Sequence, residues 1–485
     1  MLFNSIDFLI FFPVVTLLYY IIPRKAKTLW LLVSSYYFYM SWNPYYAILI
    51  GISTVITYLC GLSLEYFNNK KQKSYAKLSL MLCLVSNLLI LAVFKYADFA
   101  INILSDVALM LGITIKVSSP GLLLPVGISF YTFQALSYSI DVYKGTSKAE
   151  HNLIRYALFV SFFPQLVAGP IERTGNLLSQ IQSIPTNAAF SFERMRSGLL
   201  LMVWGFFQKL VIADRAAVIV DGIYNNYTDY GFFAIFTATI CFAIQIYCDF
   251  AGYTNIARGA ARILGFELMK NFRQPYFAAG IKDFWRRWHI SLTTWFTDYL
   301  YIPLGGSRKG FFKTLLNIMI VFTVSGLWHG ASFNFVIWGL IHGIYRCIGI
   351  ITSRCFYEKQ KSCKIPKFLQ IAFTFLLVCF AWIFFRADSV TGALLIIKQM
   401  FTGVGSYVLS IPGLNSFNIF ILVFSVIVLF VVDYICELGI SIENIILRQN
   451  IVIRWLIYAL AVWSVIMLGI YGVSYTSSQF IYFQF

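Results

Sequence analysis

Apolar stretches separated by short polar segments make up most of this 485-residue chain. A helix needs about 20 apolar residues to cross the roughly 30 Å hydrocarbon layer of a membrane. By that measure, membrane spans are predicted at about 6–22, 28–62 (two helices joined by a turn at 42–44), 78–94, 97–113, 153–168, 197–220, 231–250, 314–346, 368–386, 414–436 and 452–473. Prolines and glycines interrupt 118–141, which predicts a re-entrant or kinked segment. We expect an all-α polytopic membrane protein with about ten to twelve transmembrane helices plus re-entrant or interfacial helices.

The stretch 314–346 is longer than one membrane crossing requires. Its 32 residues from 314 to 345 include no Asp, Glu, Lys or Arg, but they include His329 and His342. An unbroken helix of that length would extend about 48 Å, well beyond the hydrocarbon layer. The segment must therefore tilt strongly or break into two pieces, and we predict the break at Gly330-Ala331-Ser332, which leaves His329 at an interrupted helix inside the membrane. An ionisable residue there is a functional candidate, and the alternative is a neutral histidine hydrogen-bonded between packed helices.

Composition and charge support a membrane protein and exclude other classes. Hydrophobic residues make up 59% of the chain and charged residues 12%, against about 25% charged in soluble domains. The net charge of +17 fits basic cytoplasmic loops facing anionic lipids, and no stretch is typical of a nucleic-acid-binding module. Nine scattered cysteines without a Cys-x-x-Cys pair indicate neither a disulfide framework nor a zinc site. We expect a multi-pass protein with no metal, no nucleic-acid partner and membrane lipids around it.

The least membrane-like region, 254–313, carries a net charge of +7 and contains KDFWRRWHISLTTWFTDYLYIPLGG at 282–306. The charge predicts a cytoplasmic, partly interfacial segment, and topology signalling alone would explain it. A continuous helix from Asp283 would place five side chains on one face: Trp285, Trp288, His289, Leu292 and Phe296. Arg286 and Arg287 would point elsewhere, either to the membrane interface or to an anionic donor such as coenzyme phosphates.

Two histidines beside a polar cavity would suit acid–base chemistry. His329 could accept a proton from an attacking hydroxyl, and His289 could position that hydroxyl or stabilise developing charge. His342 lies about 220° around an ideal helix from His329, so we interpret it as structural. Asp249 could orient a histidine or an arginine, or it could cap a helix.

Six motifs in order resemble the membrane-bound O-acyltransferases, in particular their bacterial alginate O-acetyltransferase-like branch. They are FNSIDFLIFF, FPQLVAGPIER, DFAGYTNIARGAARILGF, DFWRRWHISLTTWFTDYLYIPLGG, SGLWHGASFNFVIWGLIHG and the ending FIYFQF, so the resemblance covers essentially the whole chain. Asn255, Arg258 and Thr297 depart from the pattern usual in that family, which bears on the substrate rather than on the chemistry.

The resemblance implies a funnel-shaped helical bundle with His329 as the catalytic histidine and His289 as the second. It also implies one membrane domain over 1–485, with peripheral helices in 1–117, a catalytic core in about 118–350 and C-terminal helices in 351–485. Within these motifs, donor- or substrate-binding residues are expected at Trp285, Arg286, Arg287, Trp288, Asp298, Asp249, Trp328, Asn334 and Gln165.

The activity implied by the resemblance is acetyl transfer across the bacterial cytoplasmic membrane. Acetyl-CoA would be the donor, with no permanently bound cofactor. An SGNH-type acetyltransferase, periplasmic or surface-anchored, would be the partner, and an extracytoplasmic polysaccharide the final acceptor. One alternative is D-alanyl transfer to teichoic acid from a carrier-protein thioester. Another is a non-enzymatic transporter, because broken helices also occur in transporters.

Overall fold

A computed structural model describes residues 1–113, 121–122, 124–166, 169–184, 189–358, 365–403, 405 and 415–471, and these residues form two compact helical units. The first unit comprises Met1–Gly198 and Ala257–Met269. Its helices are α1 (Ile6–Ile21), α2 (Lys27–Met40), α3 (Tyr46–Asn69), α4 (Lys73–Met110), α5 (Ile128–Lys144), α6 (Leu153–Ser161), α7 (Phe163–Leu166) and α8 (Ser179–Gln182). The turn expected at 42–44 separates α2 from α3, as the sequence predicts.

The second unit comprises Leu199–Ile256 and the chain from Lys270 onwards. Two helices run through the division between the units, namely α9 (Phe192–Phe206) and α11 (Phe232–Ile263). The remaining helices are α10 (Asp214–Tyr224), α12 (Ile281–Arg287), α13 (Ile290–Phe296), α14 (Phe311–His329), α15 (Phe333–Glu358), α16 (Lys367–Arg386), α17 (Val390–Thr402), α18 (Ser416–Glu437), α19 (Ile442–Leu447) and α20 (Ile451–Leu468). A π-helical segment, Phe207–Ala213, joins α9 to α10.

Nine helices in the described part of the chain are long and apolar enough to cross a membrane. They are α3, α4, α9 continued through α10, α11, α14, α15, α16, α18 and α20. Shorter apolar helices lie at Ile6–Ile21, Leu153–Leu166 and Val390–Thr402. The expected all-α polytopic membrane architecture is therefore confirmed.

Some predicted boundaries are wrong. The separate spans at 78–94 and 97–113 are one helix, α4, because the charged residues between them do not stop a helix and Lys73–Met110 contains neither proline nor glycine. Helix α17 was missed because its 13 residues are too short for a window of membrane-spanning length. Of the interrupted segment 118–141, residues 118–120 and 123 lie outside the described residues, as does the ending FIYFQF. Helix α5 begins at Ile128, directly after Gly127, whose φ is +75°.

Helices α14 and α15 touch backbone to backbone. A Cβ atom added at Gly326 would lie 2.2 Å from the backbone oxygen of Phe335, and one added at Gly339 would lie 2.3 Å from that of Phe322. Carbon and oxygen atoms do not approach so closely, so only glycine permits this separation of the two helices. The chain therefore needs just residues 330–332 to turn between them, at the break that the sequence predicts.

A single added methyl group tests this contact. We expect Gly339→Ala to lower the melting temperature of the detergent-purified protein, because the two backbones must move apart. The matched control is Gly349→Ala in the same helix, where an added Cβ meets nothing within 4 Å. Alanine favours a helix by about 1 kcal/mol over glycine, so the control should be neutral or slightly stabilising. Equal melting temperatures for the two variants would contradict the role of Gly339.

Candidate active site

His329 is the last residue of α14 and lies inside the second unit. Its side chain is buried, with 3% of the residue exposed. The ring centroid lies 5.0 Å from that of Trp328, 5.0 Å from that of Trp338 in α15 and 5.4 Å from that of Phe385 in α16. The helix end and three aromatic rings thus hold this histidine in an enclosed apolar setting.

His289 lies between two short helices, not within one. Helix α12 ends at Arg287 and α13 begins at Ile290, and His289 has a left-handed backbone conformation with φ of +43°. This conformation is uncommon for a residue with a side chain, so surrounding contacts must impose it. The prediction of one continuous helix is therefore wrong. The five side chains assigned to its inward face, listed above, are nevertheless all buried.

The fold brings the two histidines together. Their ring centroids are 6.5 Å apart, and the His289 ring also lies 4.7 Å from Phe250 and 6.0 Å from Trp328. Burial lowers the pKa of His289 to about 3, because a charged imidazolium is poorly solvated there. His289 is consequently neutral near pH 7. A neutral imidazole can accept a hydrogen bond or a proton, as acid–base chemistry at this site requires.

Asn271, which sequence reasoning missed, is the hydrogen-bond partner of His289. Its side-chain oxygen lies 3.2 Å from Nδ1 of His289 and accepts hydrogen bonds from the backbone nitrogen and the hydroxyl of Ser291, at 3.2 Å and 2.8 Å. The backbone nitrogen of Ile290 also donates to the backbone oxygen of Asn271 at 2.9 Å. Asn271 lies 18 residues before His289 in a polar segment, so no spacing in the sequence indicated the contact.

The two arginines of the WRRWH motif occupy different environments. The Arg287 guanidinium forms ion pairs with Glu437 of α18, at 2.6 Å and 3.0 Å, and with Asp283, at 3.0 Å. These carboxylates hold the pKa of Arg287 above its ordinary value. Arg286 is exposed. Of the two, Arg286 is the one whose position suits an incoming anion, whereas Arg287 ties α12 to α18.

The tryptophans of that motif are both buried. Trp285 donates a hydrogen bond from Nε1 to Nδ1 of His342 at 3.3 Å, so His342 has a partner in the aromatic core, as its structural interpretation requires. The Trp288 ring is stacked on that of Phe284, with centroids 5.5 Å apart. A donor-binding role for these tryptophans stays a prediction.

The other proposed binding residues are dispersed. Asn334, near the start of α15, donates to the backbone oxygen of Ala387 at 2.6 Å, and its side chain also contacts Ser332 in the turn. Trp328 adjoins both catalytic candidates, and Asp298 is exposed. Gln165 belongs to the first unit, where it donates to the backbone oxygen of Phe159 at 3.0 Å. Trp328 is thus a direct neighbour of the histidine pair, and Asn334 supports the turn between α14 and α15.

Asp249 is paired with a lysine. Its carboxylate lies 2.6 Å from Nζ of Lys209, which also lies 2.8 Å from Asp214, and all three side chains are buried. Asp249 is internal to α11, which continues to Ile263, so the alternative in which it caps a helix is wrong. The ion-pair partner described for it is a lysine, whereas the other alternative named a histidine or an arginine. Because an unpaired buried charge is costly, removal of any one of these three side chains would destabilise the π-helical segment that carries Lys209.

Within the described residues, no three His, Cys, Asp or Glu side chains gather as a metal site would require. The rings of His289 and His329 are both buried, and their centroids lie 6.5 Å apart, close enough to act on one substrate.

Comparison with known proteins decides the family. The model of the membrane-bound O-acyltransferase family matches residues 147–387, which include both histidines. The chain is 38% identical over 410 residues to a probable alginate O-acetylase of Pseudomonas putida, covering 83% of this chain and 80% of the relative. The chain belongs to the membrane-bound O-acyltransferase family.

Two further relatives of this acyltransferase differ in their named activities. A peptidoglycan O-acetyltransferase of Helicobacter pylori is 34% identical over 430 residues, covering 82% of this chain and 80% of the relative. A teichoic acid D-alanyltransferase of Bacillus subtilis is 29% identical over 284 residues, covering 54% and 68%.

The family membership confirms several expectations from sequence. The chain is an enzyme, an O-acyltransferase, and a multi-pass protein of the bacterial cytoplasmic membrane. The non-enzymatic transporter is therefore set aside. The funnel shape, the division of one domain into three parts and the roles of individual residues stay predictions.

Adjacent arginines of the acyltransferase allow a matched test of the Arg287 ion pairs. Arg287→Ala should lower stability by roughly 2 kcal/mol, because partly buried Glu437 loses two charge-assisted hydrogen bonds. Arg286→Ala should leave the melting temperature within about 1 °C, because an exposed side chain contributes little to folding. Thermal unfolding of both variants in the same detergent measures the difference, and similar melting temperatures would show that the Arg287 pairs are not stabilising.

Proposed function

We propose that this acyltransferase moves an acetyl group from cytoplasmic acetyl-CoA across the membrane for O-acetylation of an extracytoplasmic polysaccharide. The observation that carries the proposal is the pair of buried histidine rings 6.5 Å apart at the break after α14. The names of two relatives, alginate O-acetylase and peptidoglycan O-acetyltransferase, indicate that these relatives act on polysaccharides. The match to this chain covers about four-fifths of the length of each relative. An SGNH-type acetyltransferase on the outer face is the proposed carrier of the acetyl group to the glycan.

His329 is the proposed general base. It takes the proton from the acceptor hydroxyl as that oxygen attacks the carbonyl carbon of the thioester. The carbon–sulfur bond then breaks, and the leaving sulfur receives the proton from the His329 imidazolium, so an ester and a free thiol are formed with no net change of redox state. His289, neutral and held by Asn271, positions the substrate beside His329. Enclosure by Trp328, Trp338 and Phe385 keeps water from competing for the acyl group.

The donor is proposed to approach from the cytoplasmic side. Residues 254–313 carry a net charge of +7, and exposed Arg286 lies in this block, three residues before His289. Guanidinium groups bind phosphates well, so Arg286 is the proposed contact to coenzyme phosphates. In this assignment Arg287 does not bind the donor, because its guanidinium forms ion pairs with Asp283 in α12 and Glu437 in α18.

Removal of the proposed base is the direct test. Purified protein in liposomes is given radiolabelled acetyl-CoA on one side, together with a candidate glycan or outer-face acetyltransferase. We expect His329→Ala to lower acyl transfer roughly 100- to 10,000-fold, the usual contribution of general-base catalysis. His289→Ala should lower kcat by a smaller factor. If His329→Ala transferred the acyl group at the wild-type rate, the assignment of His329 as the base would be contradicted.

Two other histidines supply controls. His342→Asn replaces a buried histidine with a smaller polar side chain and should retain activity within severalfold, even if the loss of its contact with Trp285 lowers stability. His151→Ala changes an exposed histidine, whose side chain is 71% accessible, and should behave as wild type. Loss of activity in all four histidine variants would indicate general sensitivity to substitution and not a defined base.

The D-alanyl alternative differs in the donor. The teichoic acid D-alanyltransferase of Bacillus subtilis matches only 54% of this chain, against 83% for the alginate O-acetylase, which favours the acetyl reaction. In the same liposomes, a D-alanyl thioester of a carrier protein is offered in place of acetyl-CoA. If the protein consumes that thioester but does not consume acetyl-CoA in the parallel assay, the donor is the D-alanyl thioester and not acetyl-CoA.

A further inference from the structure

The orientation of the Asn271 side chain is fixed by a group that can only donate. The backbone N–H of Ser291 points at the Asn271 side chain, 3.2 Å from the atom assigned as Oδ1. A backbone N–H cannot accept a hydrogen bond, so the facing atom must be the amide oxygen and not the amide nitrogen. The Ser291 hydroxyl, 2.8 Å from the same atom, donates to it as well.

This orientation determines which nitrogen of His289 carries the hydrogen. Nδ1 of His289 lies 3.2 Å from the same oxygen, which can only accept, so Nδ1 must be the donor. Burial lowers the pKa of His289 to about 3, and the ring is neutral at pH 7. A neutral imidazole has one N–H, so Nε2 carries the lone pair.

The surrounding backbone holds both partners in place. The Ile290 nitrogen donates to the Asn271 oxygen at 2.9 Å, and the Arg273 nitrogen donates to the Arg287 oxygen at 2.9 Å. These two hydrogen bonds join the segment containing Asn271 to the segment containing His289. They also explain why His289 tolerates a φ of +43°, since the loop is bonded on both sides of it.

Other neighbours leave this arrangement undisturbed. Phe250 meets the His289 ring edge-on at 4.7 Å, and Trp328 meets it at 6.0 Å, and neither side chain titrates. His329, at 6.5 Å, is the titratable neighbour among these ring contacts. The bond to Asn271 therefore governs the tautomer of His289 as long as His329 is neutral.

We propose that Asn271 is a positioning residue of this acyltransferase, which fixes His289 as the Nδ1–H tautomer so that the Nε2 lone pair accepts a hydrogen bond from a substrate group other than the attacking hydroxyl, whose single hydrogen goes to His329. The inference rests on the proposed function for the role of His289 in turnover. The tautomer itself is a property of the resting protein and can be measured without any substrate.

Nitrogen NMR of protein labelled with ¹⁵N-histidine reads the tautomer directly, and a chain with four histidines gives few signals. The His289 signals are identified by their loss in His289→Ala. We expect a protonated Nδ1 and an unprotonated Nε2 in the wild type at pH 7. Asn271→Ala should give a mixture of tautomers, because the acceptor at Nδ1 is removed. A protonated Nε2 in the wild type, or an unchanged tautomer in Asn271→Ala, would overturn the proposal.

Asn317→Ala is the matched structural control. Asn317 is another fully buried asparagine of the second unit, and it donates to the backbone oxygen of Gly306 at 3.0 Å. Its truncation should lower the melting temperature about as much as that of Asn271, while the His289 signals stay as in the wild type. A changed His289 tautomer in Asn317→Ala would show that loosening the fold is sufficient, which would overturn a specific role for Asn271.

Kinetics then connect the tautomer to turnover. Asn271→Ala should lower kcat roughly tenfold or more with a smaller change in KM, as loss of a residue that orients a functional histidine does in other enzymes. A kcat equal to that of the wild type would overturn the proposal. If the wild type itself transfers no acetyl group while the NMR result holds, the proposed function fails and the positioning of His289 stands.

Asn271→Asp gives a pH signature. Nδ2 of Asn271 has no hydrogen-bond partner among the described residues, so its replacement by oxygen removes no bond and keeps the acceptor. The new carboxylate should raise the pKa of His289, because a nearby negative charge favours the imidazolium. Protonation removes the Nε2 lone pair, so activity should fall with decreasing pH at a higher pH than in the wild type. An acid limb identical with that of the wild type would overturn the proposal.

Discussion

The close approach of α14 and α15 is the contact on which the rest of the candidate site depends. Gly326 and Gly339 let the two backbones meet where a side chain would collide with a carbonyl oxygen. Helices at this distance need only three residues between them, so His329 stays at the end of α14 with Trp338 of α15 against its ring. Any wider separation would move the ring away from its aromatic neighbours. In a membrane, where burial of apolar area does not favour association, such close packing is the main source of helix–helix affinity.

Charge is distributed in the second unit according to the cost of burial. The two proposed catalytic histidines are enclosed by aromatic rings, where neutral imidazoles cost less than ions. Buried Lys209 is paired with buried Asp214 and Asp249. Arg286 remains exposed in a block of net charge +7. A neutral reaction site with a basic approach is well suited to a donor whose reacting thioester is uncharged and whose other end carries phosphates.

The sequence predicted those features that follow from the bilayer or from local chain chemistry. Hydropathy located most spans because each must shield its backbone from lipid. The length of 314–346 left a strong tilt or a break, and the residues Gly330-Ala331-Ser332 indicated where a break would lie. The left-handed turn at His289 could not be predicted, since nothing in WRRWHIS demands it and the backbone of Asn271 imposes it. The same holds for Asn271 itself and for the pairing of Arg287 with Glu437. These contacts join residues that are distant in the chain, so neither hydropathy nor residue spacing predicts them.

The two histidines are held in ways that suit different tasks. An acid–base residue must gain and lose a proton in each turnover, whereas a residue that positions a substrate by accepting a hydrogen bond must keep one lone pair in place. The contacts described for His329 include ring contacts with Trp328, Trp338 and Phe385, which locate the imidazole by its shape. His289 is instead bonded through Nδ1 to an oxygen that already serves two other donors. Protonation of His289 would place a charge in an apolar enclosure, and the group described at its Nδ1 is the neutral amide of Asn271 and not a carboxylate. This arrangement suits His289 to a positioning role as a hydrogen-bond acceptor beside His329, the proposed base.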